Sequence, residues 1–83
     1  MKVTVEIKVR HVHSADWVPM VIEVTASSRK EVTKNLKVID NFYAENCIGD
    51  GWTTGGTKVL SAKDAKDCTP DEQLVLKGGK VSQ

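Results

Sequence analysis

The sequence predicts a small α+β domain in the order ββαββ, a β-hairpin followed by one amphipathic helix and a second pair of strands. Three observations support this: apolar residues alternate at the N-terminus, a helix start signal stands at Ser28, and two short apolar runs lie in the C-terminal half. We expect a four-stranded antiparallel sheet with the helix packed on one face. With 83 residues, the chain fits one compact domain over residues 1–79, and residues 80–83 are expected to form a flexible tail.

The first hairpin is predicted from a period of two residues. In the first strand, charged or polar residues alternate with the apolar set Val3, Val5, Ile7 and Val9, and His11 and His13 continue that face. The second strand is expected from Trp17 to Ala26, with Pro19 near its start because proline cannot donate a ladder hydrogen bond. One face of this strand is predicted to carry Val18, Met20, Ile22, Val24 and Ala26. The opposite face carries Trp17, Val21, Glu23 and Thr25.

The helix is predicted from its cap and from its apolar spacing. Ser28 and Glu31 form a capping box, in which the serine hydroxyl accepts from the third helical N–H and the glutamate reaches back. The apolar stripe expected to face the hairpin is Val32, Leu36, Ile39 and Tyr43. The stop signals are Asn46, Gly49 and Gly51.

The C-terminal half is predicted to add two short strands. Residues 48–57 are glycine-rich and are interpreted as a connection, after which a third strand begins near Thr57 around Val59 and Leu60. Residues 73–76 precede two glycines and indicate a fourth strand.

Charge and N-terminal pattern limit the function classes. Twelve basic and eleven acidic residues give a net charge of +1, which argues against a dedicated nucleic-acid binder. The alternating N-terminus offers neither a signal-peptide core nor a membrane span, so we expect a cytoplasmic protein with no membrane partner. In a reducing compartment Cys47 and Cys68 are expected to be thiols, although their spacing alone does not forbid a disulfide.

No constellation of residues predicts an enzyme. His11 and His13 have a spacing that can hold zinc, but the further ligands would have to be Cys47 and Cys68, which stand far along the chain. Cys47 is expected at a helix C-terminus, where the dipole disfavours a thiolate. The glycine-rich segment leaves a helix instead of entering one, the reverse of a phosphate-binding loop. We therefore predict no catalytic residue, no metal and no cofactor.

Two tryptophans indicate a contact surface. Trp52, Thr53 and Thr54 lie in the glycine-rich segment, where no periodicity requires an indole, and Trp52 is either a contact residue or a plug for a small core. Trp17 and Val21 are expected on the sheet face that the helix leaves bare. The predicted function is a non-enzymatic protein-binding module, whose partner is another protein or protein complex or a second copy in a homodimer. The alternative is a nucleic-acid-binding accessory protein that uses Lys30, Lys34 and Lys37 on the outer helix face.

The hairpin–helix–hairpin layout in a chain of this size resembles small proteins encoded by phages or mobile elements that bind and block a host complex. The resemblance is one of size and topology, and no residue is carried over from it. It implies an inhibitor or regulator of a host protein complex.

Overall fold

A computed structural model describes residues 1–83 as one five-stranded sheet with three helices. The elements are β1 (Lys2–His11), β2 (Val18–Thr25), α1 (Arg29–Lys34), α2 (Leu36–Asn46), β3 (Trp52–Val59), α3 (Ala62–Ala65), β4 (Glu72–Lys77) and β5 (Lys80–Ser82). The strand order is β3-β1-β2-β4-β5. The predicted α+β class is confirmed. The predicted four-stranded antiparallel sheet is wrong in detail, because the sheet has five strands and β2 pairs with β4 in parallel.

The first hairpin agrees with the alternation in the sequence. β1 and β2 are antiparallel, with Val5 opposite Ile22 and Val9 opposite Val18. We call the side of the sheet that carries Val5 the helix face, because the helices pack there, and the other side the outer face. Pro19 is the second residue of β2 and precedes the stretch that pairs with β4, so its missing N–H leaves no gap in the ladder.

The predicted single helix is two helices separated by Asn35. The Asn35 side chain donates to the Glu31 carbonyl at 2.8 Å, and its backbone N–H donates to the Val32 carbonyl at 3.1 Å, a bond to the third residue back. This tightened turn ends α1 and starts α2. The Ser28 cap is present, since its hydroxyl accepts from the Glu31 N–H at 3.1 Å. The Glu31 carboxylate reaches Ser27 instead of Ser28.

The core lies between the helix face and the two helices. Its buried residues are Val3, Val5, Ile7, Val9, Ile22, Val24, Ala26, Val32, Ile39, Tyr43, Leu74 and Leu76. α2 comes within 8 Å (Cα–Cα) of both β3 and β5, the two outermost strands. The sheet is therefore curved around α2. This curvature helps to enclose a core that contains few aromatic side chains.

The segment predicted to be a glycine-rich connection is mostly strand β3. It pairs with β1, and the register shifts by one residue where Gly55 and Gly56 lie opposite Lys8. This shift is a β-bulge, and Gly56 has a φ of +133°, a conformation that glycine adopts without strain. Gly55 and Gly56 thus allow β3 to pair with β1 across a bulge. Because a glycine-rich sequence is also typical of a loop, the sequence pattern alone does not distinguish the two structures.

The right-handed rule for crossovers indicates that the connection from β3 to β4 passes over the outer face. β2, β3 and β4 run in the same direction. The connection from β2 to β3, through α1 and α2, and the connection from β3 to β4, through α3, cross the sheet in opposite directions. Right-handed crossovers in opposite directions lie on opposite faces. Leu60 is buried but lies outside the main core cluster, and we infer that the α3 connection covers it. The outer face is therefore only partly bare.

The C-terminal residues extend the sheet. Residues 80–82 form β5 and pair with β4 through a turn at Gly78 and Gly79, both of which have positive φ. Val81 packs against the core, and the Gln83 amide donates to the Glu72 carboxylate at 2.8 Å. The flexible tail predicted over residues 80–83 is thus a strand in the structure, because one apolar residue in a three-residue segment was too short a pattern to detect.

Candidate functional site

Exposed apolar side chains gather at one end of the sheet. Four large ones, Val12, Trp17, Val18 and Trp52, lie where β1 ends and where β2 and β3 begin. We call these four residues the hairpin end. The other exposed large apolar residues, Met1, Val38 and Val75, are scattered over the rest of the molecule. A cluster of this kind at one end of a small domain is typical of a contact surface.

An open apolar cavity of about 210 Å³ adjoins the hairpin end on the helix face. Its lining consists of Val9, Met20, Tyr43, Cys47, Ile48, Gly49 and Trp52. Trp52 is 43% exposed, and its ring stands edge-on to His11 with centroids 5.2 Å apart. The indole therefore forms one wall of the cavity and is also partly exposed to solvent. Trp52 thus has features of both roles considered for it, a contact residue and a plug for the core.

The two histidines form a local pair at the end of β1. The His13 backbone N–H donates to Nδ1 of His11 at 3.2 Å, and the ring centroids are 5.3 Å apart. No group of three or more potential metal ligands comes together anywhere in the structure. Cys47 and Cys68 are both free thiols, and neither supplies the further ligand that a zinc site at the histidines would need.

Burial makes Cys47 a poor nucleophile. Burial of the thiol raises its pKa, and the nearby Glu72 carboxylate raises that pKa further. The same two causes, together with Asp71 and Cys47, raise the pKa of Tyr43. A protonated thiol in an apolar lining suits packing against another apolar group and does not suit covalent chemistry.

The predicted partner-binding residues are divided between the two faces. Trp52 and Thr54 pair with His11 and Val9 and lie on the helix face. Thr53 pairs with Arg10 and lies on the outer face. Trp17 and Val21 also belong to the outer face, where Val21 is half-buried. The five residues therefore do not form one surface.

Trp17 lies across the bulge in β3. A Cβ atom on Gly55 would lie 2.5 Å from Cζ3 of the indole and 2.9 Å from Cζ2, so the ring occupies the space that any side chain at Gly55 would need. The Arg10 guanidinium carbon is 5.2 Å from the ring centroid, a cation–π distance. The indole remains 44% exposed. The sequence does not predict the contact between Trp17 and Gly55, because the two residues lie far apart along the chain.

Half of the twelve basic residues of the chain lie on the outer-face side of the strands. Its basic residues are Lys2, Lys8, Arg10, Lys58, Lys77 and Lys80. Its two strand carboxylates are paired, Glu6 with Lys58 at 3.9 Å and Glu23 with Lys2 at 3.7 Å. Six cations and two anions give these strand residues a charge of +4. Since the whole chain carries +1, its remaining residues carry −3.

The helix lysines have a different environment. Lys30 and Lys34 lie in a polar groove together with Ser28 and Glu31. Lys37 is exposed on α2. No aromatic side chain lines this groove, and Glu31 offsets part of its charge.

Comparison of the chain with protein-family models, with curated proteins and with solved structures found no match. The longest helix has 11 residues, and none of the helices combines the length and apolar character that crossing a membrane requires.

Proposed function

We propose that this chain is a protein-binding module whose contact surface is the helix-face part of the hairpin end, Val18 and Trp52, together with the apolar cavity beside them. The observation that carries the proposal is the open apolar cavity walled by Trp52, with Val18 exposed beside it. Val18 pairs with the cavity residue Val9. Tryptophan at such a position is the side chain most enriched among residues that dominate binding energy, because it offers a large rigid area.

The size of the cavity favours a protein partner over a small molecule. Its volume of about 210 Å³ is smaller than the roughly 300–1,000 Å³ of a typical small-molecule pocket. One large apolar side chain from a partner would fill it, while the partner's surroundings would cover Val12 and Val18. The same geometry accepts a second copy of the chain. The narrower role of inhibiting a host complex rests on chain size alone, since the ββαββ layout that suggested it is not the layout of this sheet.

Two matched valines test the proposal. Val18 and Val75 are strand residues that are 44% and 42% exposed, but only Val18 belongs to the hairpin end. We expect Val18→Asp to abolish recovery of a partner from host lysate, whereas Val75→Asp leaves it unchanged. Light scattering at several concentrations would first show whether the surface is occupied by a second copy, in which case Val18→Asp should yield monomers. Equal behaviour of the two variants, each with an unchanged melting temperature, would contradict the proposal.

A further inference from the structure

Beyond the protein partner proposed for the helix face, we propose that the outer face binds single-stranded nucleic acid, with phosphates at Lys8 and Lys58 and a base stacked on Trp17. The first observation is the separation of charge. A chain with a net charge of +1 carries +4 on the strand residues of this face. Three of these cations, Lys8, Arg10 and Lys58, lie on the neighbouring strands β1 and β3, so the overall charge does not exclude a polyanion at this part of the face.

The second observation is a polar groove along β3 and β1. It is lined by Glu6, Lys8, Gly55, Gly56, Thr57 and Lys58, without a single apolar side chain. Lys8 is exposed, and the Lys58 side chain is 67% exposed even though it pairs loosely with Glu6. At Gly56 no atom lies within 4 Å of the position of a Cβ. The bulge thus leaves an open approach to the backbone in a groove that also contains Lys8 and Lys58, and such a groove suits a phosphate.

The third observation is an aromatic platform beside that groove. Gly55 lines the groove and also supports the Trp17 ring, so phosphate contacts and ring are neighbours. Arg10 holds the ring in place. Its Nε is buried without a hydrogen-bond partner and its Nη1 donates to the Ser14 carbonyl at 3.4 Å, which leaves Lys8 and Lys58 as the phosphate contacts. Base–aromatic stacking of this kind contributes about 1–3 kcal/mol per base.

The combination favours a single strand over the other polyanions. An acidic protein segment would satisfy the lysines but has no need of an aromatic platform. A duplex would also satisfy the lysines, but its bases are already stacked on one another and are not free to stack on Trp17. Only an unpaired strand presents phosphates and free base faces side by side. The lysines on the helices lack the aromatic neighbour and provide the matched control.

Binding would be measured by fluorescence anisotropy at low salt with three labelled probes: a twelve-residue oligothymidylate, a twelve-base-pair duplex and a glutamate peptide of equal charge. Lys8→Gln/Lys58→Gln and Lys30→Gln/Lys34→Gln each remove two positive charges. We expect the first double variant to weaken oligothymidylate binding at least tenfold and the second less than threefold. The slope of log K against log salt should fall in magnitude by about 1.4 in the first variant, since each phosphate contact on a single strand contributes about 0.7.

Single-tryptophan variants locate the bound base. In Trp52→Phe the only tryptophan is Trp17, and oligothymidylate should quench its fluorescence. In Trp17→Phe the only tryptophan is Trp52, and quenching should be absent. Equal losses in the two lysine variants, quenching at Trp52, a peptide or duplex that binds as tightly as the oligothymidylate, or no binding to any probe would each overturn the proposal. The protein-partner proposal is read separately through Val18→Asp.

Discussion

Replacing Gly55 with alanine should displace the Trp17 indole and destabilise the fold. The new methyl group would overlap Cζ2, Cζ3 and Cη2 of the ring, so the ring would have to move. A tryptophan has roughly 250 Å² of side-chain surface, and a little over half of it is buried at this site, since the residue is 44% exposed. At about 25 cal/mol per Å², full displacement would cost about 3.5 kcal/mol. Alanine is otherwise better than glycine in a strand by roughly 0.5–1 kcal/mol, so we expect a net loss of up to about 3 kcal/mol.

Urea unfolding would measure this loss, with Gly49→Ala as the control. No atom lies within 4 Å of a Cβ at Gly49, and its φ is not positive, so this variant should change stability by less than about 0.5 kcal/mol. A double-mutant cycle isolates the contact: in a Trp17→Ala background, Gly55→Ala should cost almost nothing. If Gly55→Ala is as harmless as Gly49→Ala, or equally costly with and without Trp17, the packing of the indole on the bulge is refuted.

Four further predictions concern the cap, the half-buried thiol, the pH dependence of stability and the last strand. Ser28→Ala removes the acceptor of the Glu31 N–H and should lower the free energy of unfolding by about 1 kcal/mol, measured in urea. Glu72→Gln should speed alkylation of Cys47 near pH 8.5, because removing the carboxylate lowers the raised thiol pKa, while Glu23→Gln should not. Because the raised pKa values of Cys47 and Tyr43 favour their protonated forms in the fold, that stabilisation is complete below the unfolded-state values and is lost as the pH rises through the folded-state values. The free energy of unfolding should therefore fall above about pH 9. Truncation after Gly79 should cost about 1–2 kcal/mol in the same assay through loss of the Val81 contact, and a neutral outcome would support a flexible tail.

The parts of the fold that local pattern specifies were predictable. In β1 four apolar residues alternate with polar residues without interruption, and the Ser28 cap marks the start of α1. The core stripe of Val32, Ile39 and Tyr43 followed from helical spacing even though Asn35 divides the helix. In each case the determining interactions lie within a few residues, so the sequence shows them directly.

The features that failed depend on contacts between distant segments. The sequence of β3, WTTGGTKV, shows no alternation of apolar residues. β3 is an edge strand, and its two glycines form the bulge. The parallel pairing of β4 with β2 depends on the path of the α3 connection, and no residue in β4 encodes that path. Trp17 and Trp52 were recognisable as contact candidates, but their placement on opposite faces follows from the register of β1 with both neighbours.

The division between the two tryptophans follows from the pairing of β1 with both of its neighbours. Trp52 lies opposite His11 and so belongs to the helix face. Trp17 lies next to Val18, which belongs to the helix face, and so takes the outer face. One end of the sheet thus presents an apolar cavity on one side and a cationic aromatic groove on the other. The two surfaces lie on opposite faces of the sheet. A partner protein at Trp52 and a nucleic-acid strand at Trp17, as proposed, would therefore approach the sheet from opposite sides, and the fluorescence of either tryptophan can be followed while the opposite surface is occupied.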